Sequence, residues 1–237
     1  MQNIMKRIYM NGDLQTGECK PSYSEVPWLE ITHKEINTDD RPSPCLFVTH
    51  LPYQLIPKAL KNKTTKVIYV YRNPKDVAVS YYHFHKFANY LETPENFGVF
   101  LQAFLNGQEL DVASSDGLSG ISSGIEKKFL YFTFIPLQDL RVAVLKFINF
   151  LGRSLDNKSV DIIVECSTFK NMKSNPKSNY ENAGFPTFDN SFAGFMRKGI
   201  IGDWKNHFTV AENEMFDRLF QEKMEGLPLK YSWEINN

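Results

Sequence analysis

Three groups of residues in the 237-residue chain have types and spacings suited to chemistry. Tyr71-Arg72-Asn73-Pro74-Lys75-Asp76-Val77-Ala78-Val79-Ser80 ends an apolar run on a cation and turns at once into a helical pattern. An arginine at the carboxyl end of a strand, beside helix N-terminal amides, suits an anion. Ser80, about two turns into that helix, adds a hydroxyl to the same group. The competing reading is a structural arginine capping a loop and a buried serine. Gly194-Phe195-Met196-Arg197-Lys198-Gly199-Ile200-Ile201-Gly202 sets two adjacent cations between glycines. Such a loop wraps a phosphate with amides and side chains, although a solvated charged loop has the same look. His50 follows a third apolar run. An imidazole there suits general-base work near neutral pH, while a purely structural histidine is the commoner occupant of a strand end.

Positioning these groups calls for strands and helices in alternation. Cys45–His50, Lys66–Tyr71 and Phe129–Phe134 are near-continuously apolar, which predicts strands buried on both faces of a parallel sheet. Leu46–Thr49 is expected beside Val67–Tyr71, whereas the pairing of the Arg197 loop with the Arg72 segment cannot be derived from spacing. Helical patterns follow over Gln54–Leu60, Lys75–Phe87 and Leu137–Leu151, the last with apolar Leu140, Val144, Leu145, Ile148 and Leu151 and a stop at Gly152. Val160–Val164 and Phe169–Met172 read as shorter helical pieces. The final helix has Thr209 and Glu212 as a capping box, Gly226 as its stop, and Met215, Phe216, Leu219, Phe220 and Met224 as its apolar face. The fold class is therefore α/β with a parallel sheet, in one domain over residues 1–237. Residues 112–124 are rich in Ser and Gly and predict a mobile loop.

Composition narrows the function. Lys plus Arg and Asp plus Glu number 27 each, so the net charge is zero and counterion release offers little drive toward nucleic acid or a charged membrane surface. Cys19, Cys45 and Cys166 are odd in number with no chelating spacing, which suits a reducing cytoplasmic setting. No apolar run approaches the length of a membrane span, and no secretory signal pattern opens the chain. His83 and His85, two apart on a helix, face different directions, so no metal site is expected.

The segments VIYVYRNPKDVAVSYYHF and FMRKGIIGDWKNHFT closely resemble the cytosolic sulfotransferase family, as do CLFVTHLPYQLIP and VECSTFKNMKSNPKSNY. The tract IPKALKNKTTKVIYVYRNPKDV and the ending LPLKYSWEINN look most like its amine-sulfotransferase branch. The resemblance implies a parallel-sheet, P-loop-like sulfotransferase fold. It also implies transfer of a sulfuryl group from 3′-phosphoadenosine 5′-phosphosulfate (PAPS) to a small amine, phenol or alcohol. By motif position, Arg72 and Ser80 hold the 3′-phosphate with Arg197, Lys198 and Gly199. Thr168 and Phe169 line the adenine, with Met172, Phe195 and Met196 also in the nucleotide-binding segments. His50 is implied as the base that takes the acceptor's proton. Lys205, Thr209, Val210 and Glu214 resemble the family's dimerisation motif and imply a homodimer. On residue types alone they form a strand-like stub able to pair about a two-fold axis, or they simply cap the last helix.

Against the family pattern, the chain is expected to lack the first central strand and the YPKSGTTW-type phosphosulfate loop, as an N-terminally truncated member. Val48 stands where the family has a lysine two residues before the histidine. Asp111–Lys128 replaces an aromatic-rich substrate helix, and Ile135-Pro136 replaces an acidic pair. Impaired activity is expected from these departures, with a non-catalytic nucleotide-binding or dimerisation partner as the alternative.

Overall fold

The computed structural model describes residues 1–11, 20–30, 41, 43–51, 55–58, 65–107, 129–133, 140–180 and 194–224. In chain order the described elements are α1 (Gln2–Tyr9), α2 (Ser22–Glu25), β1 (Val67–Tyr71), α3 (Pro74–Phe87), α4 (Phe97–Leu105), β2 (Phe129–Thr133), α5 (Leu140–Leu151), α6 (Asn157–Cys166), α7 (Phe169–Ser174), a 3-10 turn (Asp203–Asn206) and α8 (Val210–Met224). They cluster into two units. One comprises Met1–Thr49, Ile135–Pro186 and Ala193–Gly199, the other His50–Phe134, Thr187–Phe192 and Ile200–Asn237. The expected helix over Gln54–Leu60, the Ser/Gly loop, Gly226, the C-terminal ending and Cys19 lie mostly or wholly outside the described residues.

In the first unit α1 packs on α2, α5 and α6, and α6 also packs on α7. The apolar residues recur at three- and four-residue spacings, so Ile4 and Ile8 of α1 meet a stripe of Ala143, Val144, Phe147 and Ile148 on α5 and Val160 and Ile163 on α6, all buried. Val144 and Ile148 are buried as expected, whereas Leu145, also expected in the stripe, is 44% exposed and Ala143 and Phe147 are buried beside them. Asn3 Nδ2 donates to the Cys166 carbonyl at 3.0 Å and so fastens α1 to the end of α6. Gly152 ends α5 as expected, with Arg153 N donating back to Ile148 O at 3.0 Å.

The expected strand at Cys45–His50 is reduced to one parallel bridge between Val48 and Trp28. Val48 N donates to Pro27 O at 3.0 Å and Val48 O accepts from Leu29 N at 2.9 Å.

In the second unit β1 pairs in parallel with β2, Val67 opposite Phe129 through Tyr71 opposite Thr133. The third expected strand is thus present and neighbours β1. β1 is only half-buried and Val70 is 42% exposed, so its apolar run marks sheet membership without complete burial. The Asn73 side chain caps α3, accepting from Asp76 N at 2.8 Å, with Pro74 as the first helical residue. The core of this unit is Ala78, Leu101 and Phe216, with Phe97, Phe104, Leu105, Phe208 and Phe220 packed against it. α8 opens on the expected capping box: Glu212 N donates to Thr209 Oγ1 at 3.3 Å, and Glu212 Oε2 accepts from Thr209 N at 2.8 Å.

Candidate functional site

The first group of site residues lies in the second unit. β1 ends at Tyr71 and hands the chain to Arg72, whose side chain is 20% exposed. Its Nη2 donates to the Ile200 carbonyl at 2.5 Å and lies 3.4 Å from Asp76 Oδ2. Asp76 is 1% exposed. Its carboxylate accepts from Asn73 Nδ2 at 2.7 Å, Gly202 N at 2.8 Å and Trp204 N at 3.1 Å. The turn after β1, the first turn of α3 and the segment from Ile200 to Trp204 are therefore one hydrogen-bonded piece. Ser80 is exposed on α3, one helical turn beyond Asp76, and is not the buried serine of the competing reading.

Lys75, also in this motif, is buried and has another task. Its Nζ donates to Asn213 Oδ1 at 2.6 Å, pairs with Asp217 Oδ1 at 2.5 Å and sits 4.5 Å from the Trp204 ring centroid. It fastens α8 to the 3-10 turn. A cavity of about 320 Å³ beside it is lined by Lys75, Trp204, Asp217, Phe220 and Gln221, none of them a site residue expected from the sequence. His50 is exposed, two residues past the Val48 bridge. His85 is buried with Nδ1 2.9 Å from Glu92 O, and the His83 ring lies 5.2 Å from that of His207. Among the described residues no group of His, Cys, Asp or Glu is arranged to hold a metal.

The second group lies in the first unit. Thr168 caps α7, accepting from Asn171 N at 3.3 Å while donating to Glu165 O at 3.0 Å. Phe169, the first residue of α7, lays its ring against the backbone of Gly199. A Cβ built on Gly199 would meet Phe169 Cδ2 at 2.2 Å, and Gly199 has φ +66°. Lys173 Nζ donates to the Arg197 carbonyl at 3.2 Å. Two expected site segments, Thr168–Met172 and Arg197–Gly199, are thus brought together. Met172, Met196 and Arg197 are half-buried, and Lys198 is exposed. Phe195 is 38% exposed with its ring 4.7 Å from that of Tyr180, whose hydroxyl is pushed above the usual tyrosine range by burial.

The dimerisation-like residues do not form a strand stub. Lys205 is in the 3-10 turn, and Val210 and Glu214 are on the first turns of α8, because the Thr209–Glu212 box starts a helix there. Val210 is 76% exposed. Sequence reasoning passed over Asp76, Lys173 and Lys75. The signal for Asp76 was present: a capping asparagine, a proline and an acid three residues after the cap.

In the second unit a parallel strand delivers an arginine to a capped helix, an arrangement suited to an anion, and in the first unit a glycine loop lies under an aromatic ring. Residues 1–228 match the sulfotransferase domain family. The amine sulfotransferase of Oryctolagus cuniculus is 40% identical over 100% of this chain and 80% of its own length. Sulfotransferase 1A1 of Bos taurus is 38% identical over 99% of this chain and 82% of its own length. Among solved structures, mouse sulfotransferase SULT7A1 complexed with PAP is similar with a TM-score of 0.66 and 31% identity, covering 77% of this chain. This chain spans 66% of that protein's length. The chain belongs to the sulfotransferase family.

Proposed function

We propose that residues 1–237 act as one PAPS-dependent sulfotransferase domain that moves a sulfuryl group to a small amine or to the hydroxyl of a phenol or alcohol. The observation that carries the reading is the Phe169–Gly199 contact: a ring seated on a glycine next to two cations fits an adenine nucleotide with an extra phosphate. The relatives named amine sulfotransferase and sulfotransferase 1A1, and the PAP complex of the mouse protein, support the same reading.

In this reading Arg72, Ser80, Arg197, Lys198 and the Gly199 amide bind the 3′-phosphate. Arginine's fixed fork suits phosphate better than a point charge does. Thr168, Phe169, Met172, Phe195 and Met196 surround the base. His50 takes the proton from the acceptor's oxygen or nitrogen as that atom bonds to sulfur. The bond from sulfur to the bridging phosphate oxygen breaks, and the electron pair leaves with PAP. Holding the two reactants in line supplies much of the rate, and the proton transfer adds about two to four orders of magnitude. The setting is cytoplasmic. A homodimer forms through Lys205, Thr209, Val210 and Glu214, with exposed Val210 as its apolar centre. None of the described helices is long and apolar enough to cross a membrane.

The test is turnover of sulfur-labelled PAPS against a panel of phenols, alcohols and arylamines. Labelled acceptor that appears only with both chain and PAPS present is the expected result. Tight PAP binding with no labelled acceptor from any member of the panel would replace the enzyme reading with that of a nucleotide-binding partner.

A further inference from the structure

Within the second unit, one buried carboxylate with several hydrogen bonds is a group the reaction does not use. Asp76 is 1% exposed and takes hydrogen bonds from Asn73 Nδ2, Gly202 N and Trp204 N, with the Arg72 guanidinium 3.4 Å away. The donors come from three places: the capping residue of α3, the backbone at the start of the 3-10 turn, and the end of β1. Arg72 reaches across to the Ile200 carbonyl, so its guanidinium is gripped from two sides. We propose that Asp76 is a positioning residue that fixes the Arg72 guanidinium and the Ile200–Trp204 backbone in one arrangement, ready for the 3′-phosphate before the nucleotide arrives. This rests on the reading of Arg72 as a phosphate ligand.

The physical argument is preorganisation. An exposed arginine samples many rotamers, and a ligand must freeze it on binding. Here a buried carboxylate holds it through an ion pair and a carbonyl through a charge-assisted hydrogen bond. Gly202 has φ +89°, a left-handed conformation that aims its N–H at Asp76 Oδ2. Asp76 also accepts from Trp204 N at the head of the 3-10 turn, where backbone amides would otherwise lack partners. An amide in its place cannot serve all of these. The nitrogen of an asparagine would face either the Gly202 and Asn73 donors or the Trp204 donor, and the pull on Arg72 would be gone.

The test compares binding of 3′-phosphoadenosine 5′-phosphate (PAP) with binding of adenosine 5′-monophosphate (AMP) by calorimetry, in the full chain. The two ligands differ only in the 3′-phosphate, so their affinity ratio reads that group alone. Asp76→Asn is expected to weaken PAP by about ten- to a hundredfold, the range for hydrogen bonds to charged groups, and to leave AMP unchanged. Arg72→Ala is expected to remove the PAP preference, and the double variant to match Arg72→Ala alone. A residue that only supports the fold would lower both affinities together, and that result, or an unchanged ratio in Asp76→Asn, overturns the inference. If Asp76→Asn is too unstable to purify, Asp76→Glu keeps the charge but shifts it by one methylene. It is expected to lower the ratio with AMP binding intact, and an unchanged ratio there counts equally against the inference. A wild-type preference that survives Arg72→Ala removes the phosphate-ligand reading itself, whereas one lost in Arg72→Ala but kept in Asp76→Asn removes only the role of Asp76.

Discussion

Replacing Gly199 by alanine separates backbone strain from ring crowding, because a second glycine provides the control. Gly199 and Gly107 have nearly the same φ, +66° and +69°. An alanine pays roughly 1–2 kcal/mol for that left-handed conformation at either position. The surroundings differ. Among the described residues nothing lies within 4 Å of a Cβ on Gly107, whereas one on Gly199 meets the Phe169 ring at 2.2, 2.6 and 2.7 Å. To reach an ordinary carbon contact of about 3.5 Å the ring or the loop must retreat by more than about 1 Å. Overpacking of this kind costs about 1–3 kcal/mol beyond the backbone term. In a chain of this size each kcal/mol is worth about 2–4 °C, so Gly199→Ala is expected to melt about 2–12 °C below Gly107→Ala. The retreat also disturbs the proposed adenine surface and moves the Gly199 amide proposed for the 3′-phosphate, so both affinities should fall in Gly199→Ala, PAP more than AMP, and stay at wild-type values in Gly107→Ala. Thermal melts with calorimetric titrations read both effects. Equal melting losses with unchanged binding in both variants would refute the reasoning that Phe169 and Gly199 form one surface.

Further expectations follow from single contacts. Thr209→Ala removes the capping hydroxyl of α8 and should cost about 0.5–2 kcal/mol in denaturant unfolding. Val210→Glu changes a side chain that is 76% exposed, at a helix start that favours acids, so stability should hold while sedimentation shifts from dimer to monomer. A chain that sediments identically before and after that change has its two-fold contact elsewhere or has none. Tyr180 is held above the ordinary tyrosine value near 10 by burial, so its contribution to stability is complete below about pH 10 and is lost as the pH climbs through the folded value. Tyr180→Phe should therefore flatten the alkaline limb of stability against pH, and an unchanged limb would show that another group controls it.

The elements with strong local signals were legible in the sequence. The β1-to-α3 transition announces itself through a β-branched run, a basic residue and an Asn-Pro cap, and α8 through its capping box. The pairing of β1 with β2 was not legible, since pairing between segments far apart in the chain leaves no local trace. Val48 gives its N–H and C=O to Pro27 and Leu29, and β1 pairs with Phe129–Thr133. The candidate site residues come from motifs, and the residues packed around them were missed for a consistent reason. Asp76 and Lys173 act on backbone atoms of residues that are 126 and 24 positions away, and such long-range partners leave no periodic trace in the chain. Leu145 shows the limit of periodicity itself, since it fits the apolar spacing and is exposed.

The central claim is that His50 draws the proton from an acceptor that attacks PAPS. The direct measurement is the steady-state rate of labelled sulfuryl transfer at saturating PAPS by the native chain and by His50→Ala, with PAP affinity measured on both. The claim predicts a rate lower by about two to four orders of magnitude in His50→Ala and equal PAP binding. Equal rates in the two proteins would contradict it.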